Sequence, residues 1–530
     1  MTWDYIVVGA GSAGCVVANR LSESGNKQVL LLEAGDSDNS LSIKIPTGLG
    51  LFNNLDKYDW HYRSVPDPSR NWKTDQWLRG RVLGGSSSIN GQMYVRGNAA
   101  DYDRWAAQGN HGWSSQDVMP LFQALENSDK HSNTRGHHGP LHVRTVKNCH
   151  SLTEAFLNAS QQAGFVFNSD YNNPDQGQEG VSYAELTQRK GLRWSAADAF
   201  LKPIQHRKNL HVVANACLHK LLFTKCQVSG VVYEQDGILH EEKAQNVVLC
   251  AGAINTPKLL MLSGVGDAKA LDALGIPLVL DRPSVGQNLI EHPLINLTYR
   301  MKIPTYNPTE GLMQKVAFGL KYLLKRQGPI ATVFEATGFL KTRPEIADPD
   351  IQLHFMPAGM ARSGDDGPMV LPYPSVTVLL NKSHPQSRGC VQLVNDDPKE
   401  APLIQCRLLE CDEDMETLVR GIKLVRRIMN SSPMNTFVEQ EMWPGDHCGD
   451  DDAIKDYIRR NTGLAYHPVG TCRMGIDDNA VVAPDLKVRG IENLWIADAS
   501  IMPDLISGNT NAACMMIGEK LGRQLLKVTT

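Results

Sequence analysis

An α/β fold, a mainly parallel sheet interrupted by an inserted second domain, is predicted by three observations. A short apolar run, Tyr5 to Val8, ends in closely spaced glycines and is followed by a second apolar run, Gln28 to Leu32. A later run, Asn246 to Cys250, reads as a strand that can return to the same sheet, and Leu494 to Ile496 carries a further strand signal. Between them, from about Leu294 to Gly445, the composition shifts to longer polar stretches broken by prolines. At 530 residues the chain is too long for one simple core.

The first element carries the chemistry. Gly9, Gly11 and Gly14 follow the strand in G-x-G-x-x-G spacing. Gly9 permits the tight turn, Gly11 the approach of backbone to a pyrophosphate, and Gly14 the close packing of helix on sheet. A helix from about Ser12 to Ser24 would aim its N-terminal N–H groups at that phosphate. Glu33 ends the second strand, nineteen residues past Gly14, where an acid takes ribose hydroxyls. Strand, glycines, helix, strand and acid in register make this a Rossmann-like dinucleotide site. The acid disfavours a 2′-phosphate, hence NADP; the motif alone does not separate NAD from FAD.

Past Gly35 the chain is irregular. Trp60 is either a packing residue or an aromatic laid over a cofactor, and its surroundings alone favour packing. Arg79 to Met93 is a second glycine-rich segment, in which Gly84, Gly85 and three serines offer backbone and hydroxyl donors ahead of an expected helix. Ser114 to Asp117 and Ser151 to Glu154 are capping-box patterns that open helices, the second stopping at Gly164. The histidines of the 136–142 segment lack metal-ligand spacing and read as a surface loop. His211 to Val213, Leu218 to Phe223 and Val228 to Glu234 read as strands, with Asp236-Gly237 as a hairpin turn. Asn255-Thr-Pro257 leads into a short helix, Lys258 to Ser263. Asp350 to Phe355 alternates as a strand does. Asp412 to Asn430 is an amphipathic helix, acidic at its start and basic near its end, as its dipole prefers. Asp498, at the end of the Leu494 to Ile496 run, can reach a ribityl or phosphate group or cap a helix; both readings stand. Ser507 to Asn511 opens a final helix.

A formal net charge of −4 and the absence of a Lys/Arg run exclude a nucleic-acid-binding face. No apolar stretch reaches the roughly 20 residues of a membrane span. No signal peptide is expected, because Asp4 stands where a basic leader would begin. Eleven cysteines without C-x-x-C pairs fit reduced thiols and a cytoplasmic location, and no metal site is expected.

These segments together resemble the glucose–methanol–choline (GMC) oxidoreductases. The residues that carry the resemblance are Gly9 to Gly14 with Glu33, Gly80 to Asn90, Gly252 to Gly264, Tyr466-His467-Pro468 and Gly508-Asn509-Thr-Asn511, in the family's order over nearly the whole chain. Within the family the chain looks most like the choline dehydrogenase and bacterial primary-alcohol dehydrogenase branch. The resemblance implies FAD, and a substrate domain built on an antiparallel sheet covered by helices. The expected division is 1–155, 195–295 and 455–530 for the FAD-binding domain, with 156–194 and 296–454 for the substrate domain. His467 falls at the catalytic base and Asn509 at the second catalytic position. Members that bind FAD covalently carry His where Ile89 stands, so a non-covalent cofactor is expected. Gly91 replaces a serine found near the flavin in some members.

The expected cofactor contacts begin with Gly9, Gly11, Ser12, Ala13, Gly14, Glu33 and Ala34. They continue with Trp60, Val82, Gly84, Gly85, Asn90, Gly91, Gln92 and Met93. Leu218, Ala251, Tyr466, Asp498, Ala499, Asn509 and Thr510 complete them. His354, Phe355, Met356 and Tyr466 are candidates for the substrate pocket, though a packed strand explains the first three equally well. The expected reaction is oxidation of a small primary alcohol, hydride passing to the flavin and the hydroxyl proton to His467. Electrons would leave to a quinone-like acceptor or to O2, and peripheral membrane association is compatible with that. The rivals within the resemblance are an alcohol oxidase, a lyase or other non-redox member, and a non-catalytic flavin binder. A choline enzyme would need an aromatic cage or carboxylate for the ammonium group.

Overall fold

The computed structural model describes residues 2–52, 55–307, 311–362 and 368–527. Among these, two seven-stranded sheets organise the chain. In the first, Thr2–Val8 lies parallel between Val29–Leu32 and the second half of Ile238–Leu249. Leu210–Val213 flanks Val29–Leu32, and Leu494–Ile496 flanks Ile238–Leu249, both parallel. The first half of Ile238–Leu249 pairs antiparallel with Gln227–Gln235, which pairs with Ala216–Thr224. Asp236 and Gly237 both have positive φ, as the two-residue turn they form requires. In the three central strands Ile6, Val7, Leu31, Val247, Val248 and Leu249 are all fully buried, as in strands covered on both faces.

The glycines close this unit. A Cβ on Gly14 would sit 1.9 Å from the Gly9 carbonyl oxygen, so the helix Ser12–Leu21 approaches the strand only because position 14 has none. The final helix, Asn511–Lys527, packs along Ser12–Leu21 from the other end of the chain, and a Cβ on Gly518 would lie 2.6 Å from the Ala13 carbonyl oxygen.

The second sheet is antiparallel, in the order Val438–Trp443, Pro293–Met301, Ser375–Lys382, Ile351–Met356, Ala336–Leu340 and Gly180–Tyr183. Gly463–Leu464 adds to Pro293–Met301. The helix Asp412–Met429 lies on Ser375–Lys382 and against Ser151–Gln162 and Asp451–Asn461, burying Met415, Leu418, Val419, Ile422 and Val425. A smaller four-stranded sheet joins Glu126–Ser128, Leu141–Thr145, Glu185–Arg189 and Leu192–Arg193.

Some local expectations change. Gly85–Ser88 is one 3-10 turn, and the next helix is Ala99–Ala107: the Ser87 and Ser88 hydroxyls donate to the Gly84 and Leu83 carbonyls, holding a compact loop. Ser114 and Asp117 form the expected capping box. Ser151 does not cap its helix; it is the first helical residue, and His150 Nδ1 accepts from Leu152 N–H instead. The helix expected to start at Lys258 begins at Gly252.

Candidate functional site

One cavity of about 1130 Å³ runs from the glycine turn, under the first sheet's carboxyl ends, to the face of the second sheet. That exceeds the roughly 300–1,000 Å³ of ordinary small-ligand pockets, room for a dinucleotide and a small second molecule. Gly9, Gly11, Ser12, Ala13, Glu33 and Ala34 line one end. No side chain caps the helix that starts at Ser12, leaving its N-terminus to a phosphate. At Gly11 an added Cβ would have no neighbour closer than 4.0 Å, so the space beside it is open. Glu33 accepts from Ala10 N–H and Gly35 N–H, each at 2.9 Å. Burial pushes its carboxyl up to about 7 against those two hydrogen bonds.

The middle is lined by Trp60, Gly85, Ile89, Asn90, Gly91, Gln92, Met93, Leu218 and Ala251, and by Asp498, Ala499 and Thr510 from the carboxy-terminal segment. Trp60 stacks on Tyr62 at 5.7 Å with the Arg81 guanidinium 5.0 Å from its ring, so it packs and lines the cavity at once. Buried Arg193, which the sequence did not single out, donates to the Asn90 carbonyl at 2.6 Å and holds that loop. Asp498 accepts from Gly252 N–H at 2.9 Å, Thr256 Oγ1–H at 2.6 Å and Ser500 N–H at 2.8 Å. Its capping reading is therefore observed, at the cavity wall. A Cβ on Gly91 would come within 2.7 Å of the Phe334 ring, so a serine there would require that ring to move.

Four expected contacts do not line the cavity. Gly14 serves the helix approach. Val82 is buried in a small cluster with Ile43, Leu49 and Tyr58. Gly84 donates its N–H to the Ala10 carbonyl behind the wall. Phe355 is corrected outright: it points into the second core and stacks on Phe156 at 4.5 Å, because its neighbours His354 and Met356 take the cavity side of the strand.

At the far end His467, Asn509, His354 and Tyr466 converge. Tyr466 has φ of +66°, a strained conformation for a bulky residue, and its carbonyl accepts from Arg79 at 2.6 Å. His467 N–H donates to Glu291 Oε1 at 2.8 Å. The imidazole is buried and belongs to a directed chain. His292 Nε2 lies 2.9 Å from the Ser383 carbonyl oxygen, which can only accept, so His292 carries its proton there. Burial brings His292 down to about 3, so its Nδ1 is a lone pair. His467 Nδ1, 3.0 Å away, must then donate to it. That leaves the lone pair of neutral His467 on Nε2, 3.0 Å from Asn509 Nδ2, which donates. Asn509 Oδ1 accepts from Gln352 Nε2 at 3.2 Å, setting the amide's orientation. Burial first, and then the cost of placing a positive charge beside His292, His354 and Arg79, hold His467 well below the ordinary histidine range. Glu291, His292 and Gln352 were missed by sequence reasoning; the one signal was His292-Pro293, a His-Pro pair like His467-Pro468, which His384-Pro385 shares and which therefore does not single it out.

A Rossmann-like unit with an uncapped glycine turn, one long cavity, and a neutral imidazole at its end define a dinucleotide-dependent oxidoreductase. Residues 3–294 match the N-terminal region of the GMC oxidoreductases and residues 385–518 their C-terminal region. The chain is 39% identical over 535 residues to an alcohol dehydrogenase [acceptor] of Pseudomonas putida, covering 99% of this chain and 96% of that protein. It is 40% identical over 531 residues to the mitochondrial choline dehydrogenase of Mus musculus, covering 98% and 88%. The crystal structure of pyridoxine 4-oxidase from Mesorbium loti superposes with a TM-score of 0.90 at 29% identity, covering 99% of each chain. The chain belongs to the GMC oxidoreductase family and is an enzyme that uses non-covalently held FAD.

Proposed function

We propose that the protein oxidises a primary alcohol with an apolar substituent to the aldehyde. The observation that carries this is the hydrogen-bond chain that leaves His467 neutral with its lone pair on Nε2 inside the cavity. Bound FAD supplies the hydride acceptor. The alcohol O–H takes the place of the Asn509 amide as donor to His467 Nε2, which accepts the hydroxyl proton. The Asn509 N–H then donates to the alcohol oxygen and steadies its developing negative charge. His292 holds the His467 ring in the tautomer that makes this possible. Tyr466 and Pro468, strained and rigid on either side, hold the ring's backbone.

The substrate end is lined by Leu294, Leu379, Met356 and Phe334. The carboxylates on the cavity wall among the described residues, Glu33 and Asp498, are already bonded to backbone N–H groups. This leaves no free carboxylate for a quaternary ammonium, and the aliphatic lining supports an uncharged alcohol; Phe334 and Tyr466 are the aromatic groups that an ammonium would have to meet, which the choline arm of the test decides. A quinone-like acceptor is the companion proposal, supported by the apolar lining of the outer cavity and by the acceptor-linked relative. In this reading 1–155, 195–295 and 455–530 bind the cofactor, and 156–194 with 296–454 form the substrate face. The eleven cysteines are all free thiols, which supports a reducing, cytoplasmic setting.

The test is anaerobic mixing of the holoenzyme with a panel of alcohols. Uncharged primary alcohols should bleach the flavin and choline should not. His467→Ala should keep FAD and slow the bleaching by roughly 10²–10⁴-fold. Unchanged bleaching in that variant would remove His467 from the mechanism.

A further inference from the structure

Among the described residues, the helix Gly311–Lys325 presents one largely exposed apolar face. Met313, Val316, Leu320, Leu323 and Leu324 recur at three- and four-residue spacing and are 52–84% exposed. Scattered exposed leucines need no explanation; a continuous helical stripe of this kind does. The opposite face is used: Tyr322 OH donates to the Gly191 carbonyl at 3.0 Å, and Phe318 meets Tyr306 edge-on at 6.1 Å.

Two observations identify what the exposed face meets. First, the segment from Gly311 to Arg326 contains Lys315, Lys321, Lys325 and Arg326 and no acid, in a chain of net charge −4. Lys321 and Lys325, four residues apart, share one flank of the apolar stripe, between it and the buried Tyr322 side. Apolar stripe and lysine flank together complement an anionic lipid surface, where leucines enter the acyl boundary and lysines stay at the headgroups. Second, the helix is the rim of the cavity. Lys315 and Phe318 on its inner side line the cavity, as do Leu51 and Val370, themselves 57% and 48% exposed. Apolar surface therefore continues from the helix into the cavity mouth.

We propose that Gly311–Lys325 docks the enzyme on the surface of an anionic phospholipid bilayer, with the cavity mouth against the lipid. An apolar alcohol or a lipid-dissolved acceptor then reaches the cavity without crossing water. The docking itself does not depend on the alcohol reading.

The experiment is sedimentation of the FAD-loaded enzyme with vesicles of phosphatidylcholine alone or mixed with phosphatidylglycerol. Wild type should sediment with the anionic vesicles and be released by salt. The double variant Leu320→Glu and Leu324→Glu should lose on the order of 10²-fold in partitioning. Lys321→Gln with Lys325→Gln should lose about tenfold or more, on anionic vesicles only. None of these four residues lines the cavity, so the flavin spectrum and dye-linked turnover of a water-soluble alcohol should match wild type. Wild type that stays in the supernatant with both vesicles would overturn the proposal, as would leucine variants that sediment like wild type. A concentration-dependent dimer abolished by the leucine changes, with no vesicle binding, would assign the face to a second copy and also overturn it. Failure to oxidise any alcohol would sink the functional reading and leave this result standing.

Discussion

His467 owes its chemistry to a residue that never touches the cavity. His292 Nδ1 is the acceptor that keeps the His467 proton on Nδ1. His292→Phe removes that acceptor, and turnover should fall by roughly tenfold or more with FAD content and KM little changed. His292→Asn, whose side-chain oxygen can accept, should recover part of the loss; single-turnover flavin reduction separates the two. A second single-residue effect concerns pH. Burial pushes Glu291 up to about 8 from an ordinary value of 4.5. The stabilisation from its bound proton is complete below about pH 4.5 and is lost as pH rises through about 8. The melting temperature should therefore decline between about pH 4.5 and pH 8 and level off above that, and Glu291→Gln should flatten that decline in calorimetry. The sequence made His467 and Asn509 visible because both stand in family motifs. It could not show His292, whose role depends on a fold that brings it across 175 residues to the other ring.

At the scale of elements, the glycine turn was legible because its requirements are local. Strand, turn and helix are adjacent in sequence, and each glycine answers a close approach within the unit. Gly14→Ala tests this directly: the Cβ would meet the Gly9 carbonyl oxygen at 1.9 Å. The variant should lose roughly 1–3 kcal/mol by overpacking and purify with little FAD, as read from flavin absorbance and melting temperature. Strand faces were less legible. His354, Phe355 and Met356 are three successive residues of one buried strand, and apolar character alone does not say which side faces the cavity. The Ser151 cap failed for a similar reason: His150, one residue earlier, offered a ring nitrogen in the right place.

At the scale of the whole molecule, the parallel sheet follows from the apolar runs and a second, inserted unit from the composition shift, while the antiparallel build of that unit is an expectation of the family resemblance alone. What joins distant segments did not show. Arg135 is fully buried, paired to Glu126 at 2.8 Å, Asp170 at 2.6 Å and Glu185 at 2.6 Å, while Arg96 takes Glu126 at 2.6 Å. This network ties Glu126–Ser128 and Glu185–Arg189 of the small sheet to the loops around Arg96 and Asp170. Arg135→Met would leave buried carboxylates unpaired and should cost about 3–5 kcal/mol in denaturant unfolding. Nothing in a lone arginine marks it as the centre of such a cluster.

The line of donors through His467 stops at the Ser383 carbonyl oxygen, which has no proton to pass on. Inward, that is a cul-de-sac. A proton taken from substrate cannot drain through the protein behind the ring, so it has to stay on the imidazole until the cavity reopens to water or a departing molecule carries it off. In the proposed cycle, each turnover would leave the base temporarily blocked, and regaining it becomes part of emptying the site.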